Sequence, residues 1–189
     1  MSQAAAKNTQ SSKFSVRDIC YTGLFAAVIA VMAQISIPMP LGVPMTMQTF
    51  AITLAAVVLG SKLSAMASLV YLILGAVGVP VLASFSGGID KFVGPTGGFL
   101  ISFPLMAYII GLGVEHRNAF KGAFPLAVVV GTVVNYIVGV ILFVIVAHST
   151  VAVAISACVL PFIPTAIIKA VLACAIGLNI RKRIPGPKA

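Results

Sequence analysis

The chain has 189 residues, of which 60% are hydrophobic and 8% charged, with a mean hydropathy of +1.16. Soluble domains carry about 25% charged residues, so there is too little polar surface to coat a water-soluble particle, and the solvent is lipid. The formal net charge of +9 comes without a basic stripe interleaved with aromatics, which sets nucleic-acid binding aside and refers the charge to membrane topology.

Residues 1–15 read as a polar tail. The first apolar stretch, 16–35, is too long for a signal peptide and lacks a clear cleavage site, so it is expected to be retained. IPMPLGVPM follows, with prolines at 38, 40 and 44 that cannot continue a helix. Apolar segments two and three, 45–59 and 63–77, flank the tight turn Gly60-Ser61-Lys62. Both are short against the roughly 20 residues a bilayer asks for, as expected of helices that stop at a cavity or sit where the bilayer thins.

Next comes VPVLASFSGGIDKFVGPTGGF, residues 79–99. Connections this long are usually functional or disordered. Phe85, Phe92, Val93 and Phe99 run along it, so an ordered cap over a buried site is expected. The fourth segment is 97–114 and the fifth 124–147. The sixth, 151–180, is interrupted by Pro161 and Pro164, with a helix expected to start near Pro164. A basic tail ends the chain at 182–189.

The fold class expected from this pattern is all-α, an integral membrane protein with six transmembrane helices spanning 16–181. With six spans, Lys7, Lys13, Arg17, Lys62, Arg117, Lys121, Arg181, Lys182, Arg183 and Lys188 share one side, against Lys91 alone on the other. The positive-inside rule then makes both termini cytoplasmic and turns the 79–97 connection outward.

Lys169 is the sharpest single residue, since a cation about three turns from the basic tail is costly in a bilayer and marks a functional site or a snorkelling chain. Asn135, mid-segment in VVGTVVNYIVGV, offers both donors and an acceptor, either to a ligand or to a neighbouring helix. Gln48 sits at the start of segment two. Tyr71 shares a face with Ser64, Ser68, Gly75 and Gly78, which reads as a close-packed seam or as the side of a ligand space. Small residues Gly23, Ala26, Ala27, Ala30 and Ala33 on segment one suit close helix approach, within the body or to a separate membrane protein.

Enzyme signatures are missing: there is no HExxH, no G-x-S-x-G and no pair of carboxylates, and His116 and His148 fall at opposite faces. Cys20, Cys158 and Cys174 show no metal spacing and read as buried thiols. No phosphate loop occurs, so energy for uphill transport must come from elsewhere. No catalytic residue, cofactor or metal is expected.

Three strings then become recognisable together. PMPLGVPMTMQTFAITLAAVVLG, YLILGAVGVPVLASFSGG and GPTGGFLISF resemble the BioY family, the biotin-specific substrate-binding (S) components of energy-coupling factor (ECF) transporters, over roughly residues 24–173. The resemblance implies a six-helix membrane protein that binds biotin from outside. It also implies partnership with a transmembrane coupling subunit and two ATPase subunits. It maps the family's helix-one docking motif onto Ala26 and Ala30, with Gly23 and Ala27 as a neighbouring version of the face.

One position departs from the family pattern. An Asp typically stands three residues before the Lys of the last span, and here that position is Ala166. Asn135, Gln48, Thr165 or Asp90 are then the candidate acceptors for the ureido N–H groups. On this reading Gln48, Asn135 and Lys169 contact polar ends of the ligand, Tyr71 and Phe85 pack on its rings, and Asp90 and Lys91 lie at the loop side. A self-contained secondary transporter or facilitator is the alternative.

Overall fold

The structure is a computed structural model that describes residues 15–39, 42–118 and 122–184. Most of the expected polar tail, part of the basic tail and Lys121 lie outside the described residues. The chain is mostly helical. In order it forms α1 (Val16–Ala33), a two-residue hairpin of β1 (Ser36–Ile37) and β2 (Met45–Thr46), α2 (Gln48–Leu59), α3 (Ser61–Ala76), a 3-10 turn at Ala83–Phe85, α4 (Asp90–Val93), α5 (Gly97–Glu115), α6 (Ala123–Val146), α7 (Val151–Cys158) and α8 (Phe162–Arg183).

Every apolar segment of the sequence yields a helix. Four of these, α1, α5, α6 and α8, are long and apolar enough to cross a membrane, while α2 and α3 are shorter. The sixth segment divides. α7 ends at Cys158, and α8 begins two residues before the expected Pro164, with Pro161 as its N-cap. Prolines 161 and 164 therefore flank and enter a first turn that has no use for their missing amide protons.

The polarity of the helices is inside out. α6 turns Leu126, Val129, Val133, Ile137, Ile141 and Ile145 outward, a stripe at three- and four-residue spacing. α8 exposes Ile167, Ile168, Val171, Leu172 and Ile176 in the same way. Such apolar surface matches hydrocarbon rather than water. Glycines close the packing between helices: Gly98 of α5 lies against the Val138 carbonyl and Gly139 of α6, and Gly139 lies under the Phe99 ring. Small residues at such crossings bring backbones together, which is how helices gain contact in lipid.

The middle of the body is α2. Every one of its residues except Thr49 is buried, and it packs against α1, α3, α5 and α8. At about 1.5 Å rise per residue its 12 residues span about 18 Å, short of a hydrocarbon core of about 30 Å. Protein on all sides lets a short helix sit at this depth. Its amino end stops at a cavity and its carboxyl end stops at a polar clasp.

That clasp gathers groups from far apart in sequence. Arg181 Nη1 of α8 donates to the carbonyls of Val57 (2.9 Å) and Val58 (3.3 Å), two acceptors that end α2 unpaired. Glu115 Oε1 of α5 accepts from Ser61 N (2.6 Å), and both carboxylate oxygens accept from Ser61 Oγ at 3.0 Å. Glu115 thus caps the amino end of α3 with a negative charge, the sign that end favours. Gly60 turns the corner between the two helices at φ +85, where a side chain would be strained and would also meet Glu115. Replacing Glu115 with alanine leaves the Ser61 amide and hydroxyl without this partner. It is expected to cost about 2 kcal/mol of stability, the scale of hydrogen bonds to a charged group. The check is a lowered thermal midpoint in detergent beside unchanged ligand affinity, because the clasp lies at the end of the body opposite the cavity.

Candidate functional site

The chain's three carboxylates are all committed elsewhere. Asp18 Oδ2 accepts from the Ser15 amide (3.1 Å), and the Ser15 hydroxyl in turn accepts from Arg17 N (3.4 Å), a box that starts α1. Glu115 caps α3. Asp90 pairs with Lys91 at 3.3 Å on the surface. None of them reaches the cavity described next.

A cavity of about 290 Å³ opens at the end of the body that holds the hairpin, the 79–99 segment and the α7–α8 corner. Five parts of the chain supply its wall. The hairpin and the start of α2 bring Gly42, Val43, Pro44, Thr46, Gln48 and Thr49. The 79–99 segment brings Leu82, Ala83, Ser84, Ser86, Lys91, Thr96 and Phe99. Leu100 and Phe103 of α5 sit beside Asn135 and Tyr136 of α6, and α8 closes the ring with Phe162, Thr165, Ala166 and Lys169. The amino ends of α2, α5 and α8 converge here; Gln48 N of α2 donates to Thr46 Oγ1 (3.3 Å), and among the described residues no side chain caps α5 or α8. Their dipoles give the cavity a positive bias.

Lys169 adds a full charge to it. Its Nζ donates to the Thr46 carbonyl at 2.7 Å, which uses one of three protons. Among the described residues it has no carboxylate partner. The ammonium is neither at the basic end of α8 nor reaching back to it. It points to the hairpin, toward the cavity end.

Asn135 is 2% exposed and supplies an acceptor. Its Nδ2 donates to the Phe99 carbonyl (3.1 Å) and to Ser102 Oγ (2.7 Å), so both amide protons are used by α5. The Phe99 carbonyl only accepts, which fixes which end of the amide faces it. Among the described residues Oδ1 has no hydrogen-bond donor, and Asn135 is part of the cavity wall. Gln48 is more heavily engaged. Its Nε2 donates to the Tyr71 hydroxyl at 2.6 Å, and its Oε1 accepts from Thr46 Oγ1 at 2.7 Å.

Of the seven residues expected at a site, the structure brings four together in one wall: Gln48, Lys91, Asn135 and Lys169. Three stand outside it. Tyr71 is fully buried behind Gln48, which it holds rather than the cavity. Phe85 is 72% exposed, because Ser84 and Phe85 take φ of 57 and 54 and roll the phenyl ring away from the wall. The Asp90 side chain is 67% exposed and engaged with Lys91. The small residues of α1 differ in exposure. Ala26 is 3% exposed inside the core and Ala30 is half-buried against it, whereas Gly23 and Ala27 are open.

Sequence reading named Phe99 only as part of the cap and passed over Phe103, Phe162, Thr46 and Tyr136, which also line the wall. Phe99 and Phe103 follow GPTGG at four-residue spacing, which was a readable signal for one helix face. Nothing in the sequence marks Thr46, whose carbonyl holds Lys169 while its hydroxyl donates to Gln48. The glycines of GPTGG serve packing: Gly97 lies under the Phe92 carbonyl and Gly98 against α6.

The family model for BioY matches residues 6–186. The chain belongs to the BioY family. The biotin transporter BioY of Thermotoga maritima is 42% identical over 168 residues, covering 88% of this chain and 97% of that protein. The biotin transporter BioY of Rhodobacter capsulatus is 35% identical over 181 residues, covering 89% and 95%. The crystal structure of the S-component for biotin from an ECF-type ABC transporter is similar with a TM-score of 0.79. It is 27% identical and covers 94% of this chain and 95% of that one. As a BioY member with four membrane-length apolar helices, the chain is a multi-pass membrane protein of the transport class, not an enzyme.

Proposed function

We propose that this chain is the biotin-specific S component of an ATP-driven ECF importer, and that the cavity is its biotin site. The observation that carries the reading is the pairing, in one small cavity, of an ammonium at Lys169 and an acceptor at Asn135 that have, among the described residues, no carboxylate and no donor respectively, across an apolar wall. Biotin is complementary to that set. Its carboxylate takes a cation, its ureido N–H groups take an acceptor, and its thiophane ring and valeryl chain take Phe99, Phe103 and Phe162. A cavity of about 290 Å³ lies at the small end of ligand sites, which run from about 300 to 1,000 Å³.

Ala166 lies in the wall where the family pattern has an acid, so Asn135 Oδ1 serves as the ureido acceptor and Lys169 is left for the carboxylate. Lys91 stands at the rim and steers the anion inward, while Asp90 tempers it. Gln48 shapes the floor, held by Tyr71.

The six apolar segments act as six membrane passes, with α7 and α8 sharing the last. Both termini and the Arg181–Glu115 clasp then face the cytoplasm, and biotin enters from outside beneath the 79–99 segment. The coupling subunit docks on the open Gly23–Ala27 side of α1, where small residues allow close approach. Two ATPase subunits supply the energy. A self-contained carrier is less well supported, since none of the three carboxylates lines the cavity and ion coupling usually uses one.

The test is titration of the detergent-purified protein with biotin, with bound small molecules identified by mass spectrometry beforehand. Saturable binding below micromolar biotin is expected. No binding at micromolar biotin removes the biotin assignment, and biotin uptake into vesicles holding this chain alone favours the self-contained carrier.

A further inference from the structure

One polar side chain bonded to the 81–86 segment, part of which lines the cavity, lies outside every role above. Gln34 is the C-cap of α1 and is half-buried. Its Nε2, with two protons, lies within hydrogen-bond distance of the carbonyls of Ala30 (2.9 Å), Val81 (3.1 Å) and Leu82 (3.2 Å), one proton being shared, and its Oε1 accepts from Phe85 N at 2.8 Å. Both ends of one amide therefore grip the chain 47 to 51 positions away.

The gripped residues form a short strap. Leu82 N donates to Ser86 O at 2.9 Å, and Ser86 Oγ donates to Ala83 O at 2.7 Å, closing 82–86 into a tight loop. Its inner side, Leu82, Ala83, Ser84 and Ser86, lines the cavity. Its seat is Leu82, 2% exposed, which fills the space left by Gly75 of α3.

The strap is also strained. Ser84 and Phe85 both occupy the left-handed region, at φ of 57 and 54. Residues with a side chain rarely adopt that conformation, and two in succession persist only where surrounding contacts over-determine them. The contacts that do so are few. The Ser36 and Ser84 hydroxyls share a hydrogen bond at 2.8 Å, and the Phe85 ring is 72% exposed and holds little. The Phe85 amide, inside the strained pair, has Gln34 as its acceptor. Without that amide the left-handed turn loses its main external support.

We propose that Gln34 is a positioning residue that latches the 81–86 strap over the cavity and sets how slowly a bound ligand escapes. The ligand part rests on the biotin reading; the latch part does not. Gln34→Met keeps the length and apolar stem of the side chain and removes both ends of the amide. Gln34→Glu keeps an oxygen for the Phe85 amide and loses the donors to Val81 and Leu82.

The experiment has two readouts on the full-length protein in detergent. Hydrogen exchange of peptides covering 81–86 is measured without ligand, and release of labelled biotin is followed after a chase with unlabelled biotin. Gln34→Met is expected to speed exchange in this segment. It is also expected to speed biotin release by about tenfold, the scale of losing one or two hydrogen bonds, with the association rate little changed. Gln34→Glu falls between. A general loss of stability would instead raise exchange across α5 and α6 as well.

Unchanged exchange at 81–86 in Gln34→Met overturns the latch, whatever the ligand. Faster exchange with unaltered biotin release overturns the claim that the strap retains ligand. If the wild-type protein binds no biotin, the ligand assignment falls, and exchange alone decides the latch.

Discussion

Lys169→Met is expected to weaken biotin binding by about 100-fold, or about 2.7 kcal/mol, with the protein still folded. The magnitude comes from the environment of the ammonium. Hydrogen bonds to charged groups contribute about 1.5–3 kcal/mol each, and the Nζ has two protons left after its bond to the Thr46 carbonyl. Water competes poorly inside a cavity walled by aromatic rings, so the attraction for a carboxylate is larger there than at the surface. Methionine retains the apolar stem and its packing, so the loss reports the charge.

Biotin methyl ester, which lacks the carboxylate charge, is expected to bind the wild-type protein weakly and to lose little further in Lys169→Met. That non-additivity, measured by titration of both ligands against both proteins, ties the ammonium to the carboxylate. Equal losses on both ligands would mean that Lys169 acts by holding the hairpin through Thr46.

Asn135→Ala is expected to lower biotin affinity by about 30-fold, equivalent to about 2 kcal/mol. Two effects combine. The ureido N–H group loses its acceptor, and a ligand group buried without a partner costs about 1–3 kcal/mol. The second effect is positional. Asn135 Nδ2 ties α6 to the Phe99 carbonyl and Ser102 Oγ of α5, and Phe99 itself lines the cavity. Ser102→Ala separates the two, since it removes one anchor and leaves the acceptor in place. It is expected to cost only a few-fold in affinity, because the Phe99 carbonyl still orients the amide. Equal dissociation constants for wild type and Asn135→Ala would exclude Oδ1 as a ligand contact.

Some of this architecture is local in origin and was readable as such. Apolar segment length and the interrupting prolines located the long apolar helices, though not the short α4, because proline and charge act on the chain where they stand. The ordered character of 79–99 was likewise visible in its aromatic residues. The division of the last segment was visible in Pro161 and Pro164, although Pro161 rather than Pro164 opens α8.

Orientation of side chains was not legible to the same degree. In water a helix shows its buried face as the apolar one. In α1 of this chain small residues recur on both faces, so the docking motif mapped to Ala26 and Ala30 with Gly23 and Ala27 beside it, and only packing separated the buried Ala26 from the open Ala27. Tyr71 and Gln48 lie 23 positions apart, and their bond exists only because α2 and α3 fold back across the Gly60 corner.

By itself, then, the sequence determined that the chain lives in lipid, where its long apolar helices lie, that it resembles BioY, and that Lys169, Asn135 and Gln48 are costly enough in an apolar setting to demand a reason. Tertiary structure decided which residues meet. It put Lys169 against the Thr46 carbonyl 123 positions away, set Phe85 outside the wall and enlisted Gln34 to hold the strap. The division has one physical cause. Solvent choice and helix boundaries follow from sums over neighbouring residues. A site follows from distances between residues far apart in the chain, which no local sum contains.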